Sequence, residues 1–412
     1  MSLLKTNIRV NEELVTFTSL VKHRILRNFM NKPLYMDHQA TTPVESAVLE
    51  AMRPFWSESF GNPHSSGDVV GWHSNAEIQK SKQYIGNMIG SSVDEIFFTS
   101  GATESNNIAA FSLCELTKLY PQKRQILLSP IDHKCIINAA IFWADKFNLN
   151  VKMLEVNQEG YIDLDFLSDS LKTPSLFCSV GFVNNEIGTI QNIEAISTIL
   201  REGECFFHSD AAQAPKTTDC KHLAELTDLL SFSGHKIGGP QGIGFLYINA
   251  QLQASITPLI QGGGQQNGLR SGTLPLPLCV GLGKACQILG ETESLDQRQF
   301  VSKVRDYFYE GLLNFRPNIF LNGPPLVERH VGNLNVSFKD FDAAELLMAL
   351  QPDVCASTGS ACSSGEIENS HVLHALGLSN ERCSSALRFS FNYTNSIEEA
   401  DLVLAHIRNC IS

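Results

Sequence analysis

From Leu34 onward, short runs of apolar residues alternate with longer stretches in which apolar residues recur every three or four positions. Short apolar runs predict β-strands, whereas the longer spacing predicts helices with one buried face. Regular alternation of the two is typical of a mostly parallel sheet flanked by helices, so we expect an α/β fold. The clearest predicted strands are residues 95–99, 124–129, 175–182 and 205–209.

Polar residues follow each predicted strand, at the carboxyl ends where open α/β sheets bind ligands. After the first strand, residues 100–103 open a helix, and their backbone N–H groups and hydroxyls suit an anion such as a phosphate. Asp210 follows the fourth strand, where a carboxylate could pair with a protonated ring nitrogen. Ordinary helix capping also explains both segments.

Two further strand ends carry groups suited to acid–base chemistry or ligand binding. His133 lies beyond the second strand, where an imidazole could stack on a flat ring and transfer protons, or serve only as a polar side chain. Residues 184–188 follow the third strand and are compatible with a simple turn. None of these segments is decisive alone, but all lie at comparable strand ends.

Lys236 is the most informative residue of the chain. It ends the stretch 231–236 and precedes a glycine-rich stretch, 237–242. A lysine at the end of a buried strand is desolvated, which lowers its pKa and lets its amine condense with an aldehyde, as in enzymes that bind pyridoxal phosphate (PLP). The alternative is a surface lysine in a glycine-rich turn.

The length and composition of the chain limit its class. At 412 residues it exceeds the usual size of one domain, so we expect one large and one smaller domain. The formal net charge of −12 argues against strong, direct binding of nucleic acid. The 11 cysteines include no C-x-x-C pair, which favours a reduced, cytoplasmic compartment.

Residues 1–33 form a predicted N-terminal extension. Leu14, Phe17, Val21 and Ile25 fall on one helical face, which predicts a short amphipathic helix. No apolar run there is long enough for a signal peptide or a membrane span, so we expect no membrane association. The extension is expected to pack on the body of the protein or on a partner.

Six blocks of the sequence together carry a specific resemblance; they are residues 37–43, 61–65, 99–107, 183–188, 231–236 and 269–275. In this order the chain resembles the group I cysteine desulfurases, which belong to the class V aminotransferase family of fold-type I PLP enzymes. The resemblance runs from about Leu34 to the C-terminus, and several of the blocks are highly specific.

This resemblance implies a fold-type I PLP-dependent transferase, with a mostly parallel mixed sheet flanked by helices and a smaller α+β domain. The large, PLP-binding domain is expected at residues 47–293. Residues 34–46 and 294–412 are expected to form the small domain, which carries the loop of the catalytic cysteine. A polar stretch near residues 290–296 agrees with a junction there.

By the same resemblance, Lys236 holds PLP as an imine, and His133 stacks on the pyridine ring and shuttles protons. Asp210 pairs with the ring nitrogen, and Gln213 hydrogen-bonds the phenolic oxygen of the ring. Thr273 reaches the phosphate of the neighbouring subunit, which implies a homodimer with shared sites. The predicted cofactor-binding set is Ala102, Thr103, His133, Asn185, Asp210, Gln213, Ser233, His235, Lys236 and Thr273, of which Thr103, Ser233 and His235 hold the phosphate of the same subunit.

Cys362 is the residue that separates a desulfurase from other PLP enzymes. It lies in residues 357–365, a run of small and polar residues typical of an exposed loop, and it matches the family's Ser-Ala-Cys block. Cys355, seven residues earlier, is expected to be a buried structural residue. Arg388 lies in an apolar strand and needs an anionic partner, either an internal carboxylate or, as the resemblance implies, the α-carboxylate of a substrate bound together with Asn185.

The implied reaction converts L-cysteine into L-alanine and a persulfide on Cys362, with Lys236 and His133 as further catalytic residues and no metal. The sulfur then passes to an acceptor, either an iron–sulfur scaffold protein, a tRNA thiolation enzyme or the DNA phosphorothioation machinery. The sequence ends at Ser412 without the scaffold-docking tail of the housekeeping iron–sulfur members, which favours the other two acceptors. Two further hypotheses stay open: a selenocysteine lyase or other class V PLP enzyme, and a non-catalytic scaffold.

Overall fold

The computed structural model of the chain describes residues 32–290, 293–316, 318–358 and 370–411. The predicted amphipathic helix of the N-terminal extension lies outside these residues, as does Cys362. In chain order the strands are β1 (Leu34–Tyr35), β2 (Ile96–Thr99), β3 (Gln125–Leu128), β4 (Asn150–Met153), β5 (Ser175–Ser179), β6 (Phe206–Asp210), β7 (Leu229–Ser233), β8 (Gly244–Ile248), β9 (Ile319–Leu321), β10 (Asn333–Phe338), β11 (Val354–Cys355), β12 (Ser357–Thr358) and β13 (Ala386–Ser390).

Seven of these strands build the central sheet, in the order β2–β8–β7–β6–β5–β3–β4. Within this sheet β8 is antiparallel to both of its neighbours, and every other pairing is parallel. All residues of β2, β5, β7 and β8 are buried, as expected for strands covered on both faces. The structure thereby confirms the predicted α/β fold with a mostly parallel mixed sheet.

Helices cover both faces of the central sheet. The helices are α1 (Ser46–Met52), α2 (Val69–Ile89), α3 (Ala102–Glu115), α4 (Lys134–Lys146), α5 (Leu164–Ser170), α6 (Ile193–Glu202), α7 (Leu223–Leu226), α8 (Ala250–Gln253), α9 (Leu276–Leu289), α10 (Glu293–Phe315), α11 (Ala343–Leu350), α12 (His371–Ala375), α13 (Asn380–Ser384) and α14 (Ile397–Ile411). Alternate residues of a strand point to opposite faces, so Phe98 packs in one apolar cluster with α2, α6 and α9, whereas Phe97 packs in a second cluster with α3 and α4.

A second, antiparallel sheet lies in the C-terminal part of the chain, with the strand order β12–β13–β10–β9. Its apolar face packs with α10, α11 and α14 in a separate core. The short strand β1 pairs in parallel with β11, so the start of the described chain joins this C-terminal part. That pairing supports the division of the chain into residues 47–293 and 34–46 plus 294–412, which stays a prediction.

No helix among the described residues is long and apolar enough to cross a membrane. The same part of the chain contains no group of three or more His, Cys, Asp or Glu side chains that could hold a metal ion.

Candidate active site

Most of the predicted site residues line one cavity of about 750 Å³. Except for Arg388, which lies in β13 of the second sheet, they lie at or just after the ends of β2, β3, β5, β6 and β7. The carboxyl ends of strands that run in one direction meet at the same edge of a sheet. The strand ends identified in the sequence therefore come together in space. The predicted residues at the cavity are Ala102, Thr103, His133, Asn185, Asp210, Gln213, Ser233, His235, Lys236 and Arg388.

Lys236 ends a tight 3₁₀ turn, Gly234–Lys236, directly after β7. Its Nζ donates hydrogen bonds to the backbone oxygens of Gln39 and Ala40, at 2.6 and 2.7 Å. The residue is half-buried and lines the cavity, so it is not a lysine in an exposed surface turn. Two carbonyl oxygens thus hold the amine at the cavity wall, where it can condense with an aldehyde.

Asp210 is the last residue of β6, and both of its carboxylate oxygens have a donor. The backbone N–H of Ala212 donates to Oδ1 at 3.0 Å, and Nδ2 of Asn106 donates to Oδ2 at 2.7 Å. The same Asn106 nitrogen lies 2.9 Å from Sγ of Cys135. These contacts fix a carboxylate in the cavity, where it can keep a pyridine-type nitrogen protonated.

The first turn of α3 is suited to bind an anion. Gly101, at the N-cap position, has a φ of 150°, which glycine adopts easily and other residues rarely adopt. Because glycine has no side chain, Gly101 does not cap the N–H groups of the first turn. Ala102 and Thr103 of this turn line the cavity. Uncapped N–H groups at a helix start bind phosphate groups well.

His235 adds a neutral donor to the same cavity. Its Nδ1 lies 3.1 Å from Oγ1 of Thr41. Burial lowers the pKa of His235 to about 4, and the charge of Lys236 is the second cause. The ring is therefore neutral at pH 7 and carries one N–H group.

His133 caps the start of α4, where its Nδ1 accepts a hydrogen bond from the backbone N–H of Cys135 at 3.1 Å. Because Nδ1 accepts this bond, the proton of the neutral ring lies on Nε2. Burial lowers the pKa of His133, although Asp210 acts in the opposite direction. A neutral imidazole at the cavity can take up a proton from a bound substrate.

Two buried carboxyl groups lie at the cavity: Asp132 lines it, and Glu186 follows the lining residue Asn185 in the sequence. Burial raises the pKa of Asp132 to about 7, even though the backbone N–H of Gly181 donates to its Oδ1 at 2.8 Å. Burial also raises the pKa of Glu186 to about 7, against the opposing effect of a 2.5 Å hydrogen bond from Ser370. Both groups therefore carry a proton part of the time near neutral pH.

Arg388 is buried in β13 and faces the cavity. Its Nη2 lies 2.7 Å from Oδ1 of Asp37, and its Nη1 donates to the backbone oxygen of Asn185 at 2.8 Å. Among the described residues, its buried Nε has no hydrogen-bond partner. The arginine thus has an internal carboxylate partner, as one alternative predicted, and its guanidinium keeps further N–H donors for an acceptor in the cavity.

The structure does not bring every predicted residue to this cavity. Thr273 is exposed on the surface of the single chain and does not line the cavity. Cys362 lies outside the described residues. The expectation that Cys355 is buried is wrong: this residue is half-buried, because the short strand β11 forms a two-stranded sheet with β1 and lies in neither of the larger sheets.

A family model described as "Aminotransferase class-V" matches residues 34–403. The chain belongs to the class V aminotransferase family. It is 39% identical over 370 residues to a protein of Rickettsia typhi named "Cysteine desulfurase IscS", covering 90% of this chain and 88% of that protein. It is also 39% identical over 379 residues to "Cysteine desulfurase, mitochondrial" of Candida albicans, covering 92% of this chain and 77% of that protein. A solved structure titled "NifS-like protein" superposes with a TM-score of 0.84 at 33% identity, covering 92% of this chain and 99% of that one.

Members of this family use PLP, and the cavity fits this cofactor. The aldehyde of PLP requires an amine, its ring nitrogen a carboxylate and its phosphate a set of N–H and hydroxyl donors. Lys236, Asp210 and the first turn of α3 supply these three groups at one cavity. The non-catalytic scaffold hypothesis requires the loss of one of them, and all three are present.

Three residues that form hydrogen bonds to predicted site residues were not identified from the sequence. Asp37 and Gln39 lie in the block 37–43, which carried the resemblance without a role for either residue, and Asn106 lies in the block 99–107. All three act on a predicted site residue through a hydrogen bond across more than 100 positions of the chain. No local sequence signal reports such pairings.

Proposed function

We propose that this protein is a PLP-dependent cysteine desulfurase that converts L-cysteine into L-alanine and a persulfide on Cys362. The observation that carries the proposal is the common cavity of Lys236, Asp210 and Arg388, whose guanidinium has N–H groups beyond those bonded to Asp37 and Asn185 and can bind a further acceptor. An amino acid bound through its amine near Lys236 can provide that acceptor with its α-carboxylate. The curated relatives are named cysteine desulfurases, which identifies the amino acid as cysteine.

Five residues of the cavity have a role in this reaction. Arg388 and Asn185 orient the substrate carboxylate, and Asp37 holds the guanidinium in place. When bound, PLP supplies an electron sink for negative charge next to the substrate amine. The amine of Lys236 and the neutral ring of His133 then accept and return protons at the substrate carbon atoms.

Sulfur transfer requires a thiolate, which we assign to Cys362. The thiolate attacks the substrate sulfur, so an S–S bond forms while the substrate C–S bond breaks, and its electron pair stays on carbon and takes up a proton to give alanine. Ser357, five residues before Cys362, lines the cavity.

The function is tested directly with the purified, PLP-loaded protein and ³⁵S-labelled L-cysteine. We expect alanine to form in the first turnover in an amount equal to the protein-bound label, and the label to be released by a thiol reductant. Label released as free sulfide with none on the protein would contradict the persulfide. A much higher kcat/KM for selenocysteine than for cysteine would favour the selenocysteine lyase hypothesis instead.

Replacing Arg388 by lysine is expected to raise KM for L-cysteine by between about ten- and a hundredfold, with a smaller change in kcat. A lysine keeps the positive charge, but its single amine cannot contact Asp37, the Asn185 carbonyl and a substrate carboxylate together. Steady-state kinetics measure the effect. Arg382→Lys is the matched control, because Arg382 bonds Asn322 and the Leu321 carbonyl outside the cavity. An unchanged KM in Arg388→Lys would exclude Arg388 as the carboxylate site.

We further propose that two copies of the chain form a homodimer. Trp56, Phe60 and Trp72 are 63%, 70% and 59% exposed in the single chain, and exposed apolar groups of this size mark contact surfaces. The ring of Phe55 stacks on that of His73. Their sequence neighbours Trp56 and Trp72 therefore lie near each other at the start of α2. Helix α9, which follows Thr273, packs on α1 and α2, and this continuity supports a contact of Thr273 with the second copy.

Mixed dimers test whether Thr273 acts across the interface. Thr273→Ala alone is expected to weaken PLP binding by about tenfold, since one hydrogen bond to a charged phosphate is lost. Co-expression with a Lys236→Ala chain should produce dimers in which the Thr273→Ala subunit regains its affinity, because its partner supplies an intact threonine. PLP titration of the purified mixed dimer measures this. A threonine that acts within its own subunit would give no recovery.

The acceptor of the sulfur is proposed to be a protein in the cytoplasm, and the described cysteines, all free, agree with a reducing compartment. An iron–sulfur scaffold, a tRNA thiolation enzyme and the DNA phosphorothioation machinery remain the alternatives. Affinity capture from the source cell after a pulse of ³⁵S-cysteine separates them, because the label appears on a scaffold protein, in tRNA or in DNA. Cell fractionation of the same sample tests the cytoplasmic location.

A further inference from the structure

A second cavity, of about 80 Å³, adjoins the large one. Gln39, Gln213 and Lys236 line both cavities, so these three residues form the wall between them. Residues of the C-terminal part of the chain, among them His330 and Asn392, also line the second cavity. Its volume is sufficient for a few water molecules or for one small polyatomic ion.

Basic side chains outnumber acidic ones at the second cavity. Besides Lys236, the lining includes Lys216 and Arg298, whereas Glu45 is the only carboxylate among the described lining residues. Burial lowers the pKa of Lys216, against the opposing effect of Glu45. Burial also lowers the pKa of Arg298, and Asp219, which opposes this effect, does not line the cavity. A single carboxylate cannot balance both cations, so the second cavity favours an anion.

The ammonium group of Lys216 is held only loosely. Its Nζ lies 3.5 Å from Oδ1 of Asn392 and 3.7 Å from Oε1 of Glu45, whereas a strong charge-assisted hydrogen bond is about 2.7–2.9 Å long. The other carboxylate oxygen of Glu45 accepts a hydrogen bond from the hydroxyl of Tyr393. Because an ammonium group has three N–H donors, Lys216 can bind a further and closer acceptor.

His330 adds a neutral donor to the second cavity, and the residue is only 5% exposed. Its Nδ1 accepts a hydrogen bond from the backbone N–H of Gly332 at 3.0 Å, so the proton of the neutral ring lies on Nε2. Burial lowers the pKa of His330 to about 3, and the charges of Arg305 and Lys216 are further causes. The ring is therefore neutral at pH 7. Its Nε2 makes no hydrogen bond to the described residues.

Arg298 supplies a third donor from another segment. Its Nη2 donates hydrogen bonds to the backbone oxygens of Pro215 and Thr218, at 3.0 and 3.1 Å. These bonds join α10 to the loop that carries Lys216, and the guanidinium has further N–H groups for an acceptor. Lysine, histidine and arginine donors from three separate segments thus line one small cavity.

We propose that the second cavity is a binding site for a small inorganic oxyanion of the phosphate or sulfate type, held by Lys216, Arg298 and His330. A tetrahedral oxyanion carries several acceptor oxygens, which suits donors that come from different segments. None of the three residues lines the large cavity, so the site is separate from the one assigned to the cofactor phosphate. The proposal does not depend on the desulfurase reaction.

Calorimetric titration of the full-length, PLP-loaded protein with inorganic phosphate tests the proposal, because PLP then fills the phosphate site of the large cavity. At constant ionic strength, we expect one phosphate to bind per chain and sulfate to displace it. Lys216→Met and His330→Asn should each weaken phosphate binding by about tenfold or more, since each variant loses a hydrogen bond to a charged group. In His330→Asn, the side-chain oxygen of asparagine can still accept the bond from Gly332.

Lys221→Met is the matched control. Lys221 is exposed in the same loop, five positions after Lys216, and does not line the second cavity. This variant removes the same charge and should bind phosphate as wild type does. An intact imine absorbance shows that each variant is folded and loaded with PLP.

Three results would overturn the proposal: no saturable binding of phosphate, equal weakening in Lys221→Met, or wild-type affinity in both Lys216→Met and His330→Asn. Binding that appears only after PLP is removed would also overturn it, because the anion would then occupy the cofactor site. Failure of the proposed function would leave these titrations unchanged, since they contain no cysteine.

Discussion

Lys236→Ala is expected to abolish covalent binding of PLP and to lower the rate of alanine formation from L-cysteine by at least about 10³-fold, since a covalent attachment and a general base are lost together. Within the described part of the chain, Lys236 supplies the only lysine amine that lines the large cavity. The amine is held by the carbonyl oxygens of Gln39 and Ala40.

The measurement is the visible absorbance of the imine, combined with borohydride reduction and mass analysis of the labelled peptide. Lys216→Met is the matched control, because Lys216 is also half-buried but lines a smaller, adjoining cavity. Its Nζ lies 3.7 Å from Oε1 of Glu45. The Lys216→Met variant should keep the imine band. A reducible imine that persists in Lys236→Ala would show that another residue binds the cofactor.

Cys362→Ser is expected to bind L-cysteine as wild type does, to form no persulfide and to lose alanine formation by at least about 10³-fold. The thiolate is the group that attacks sulfur, and a serine hydroxyl stays protonated near neutral pH and is a poor nucleophile toward sulfur. Quantification of protein-bound ³⁵S and of alanine in single turnovers measures both losses.

Cys355→Ser and Cys410→Ser are the matched controls for Cys362→Ser. Burial raises the pKa of the Cys355 thiol, and Asp37 raises it further, so little thiolate forms there near neutral pH. Cys410 is exposed at the end of α14. Both variants should transfer sulfur at the wild-type rate. If Cys355→Ser lost the protein-bound ³⁵S while Cys362→Ser kept it, the persulfide would be assigned to Cys355.

The sequence predicted the central sheet well, because its signals are local. The apolar runs at 95–99, 124–129, 175–182 and 205–209 correspond to β2, β3, β5 and β6 within a few residues. Buried parallel strands are apolar on both faces, so their signal does not depend on the partner strand. The exposure of Cys355 was predicted wrongly, because it depends on how the two-residue strands β1 and β11 pack.

The partners of the site residues could not be predicted in the same way. Arg388 was expected to need an anion, but only the structure shows that Asp37 occupies Nη2 and that Nε has no partner among the described residues. Likewise, the buried carboxyl group of Glu186 accepts a hydrogen bond from Ser370, which lies 184 positions further along the chain. Such pairs are formed by contacts between segments that are distant in the sequence.

The sequence by itself determined the family, the α/β fold and the residue types at the strand ends, because periodicity and turn chemistry are short-range properties of the chain. Only the tertiary structure decided which of these side chains face one cavity, which donors remain without acceptors and which carboxyl groups are buried. Those properties arise from contacts between distant segments, and they set the charge, the orientation and the pKa of each group at the site.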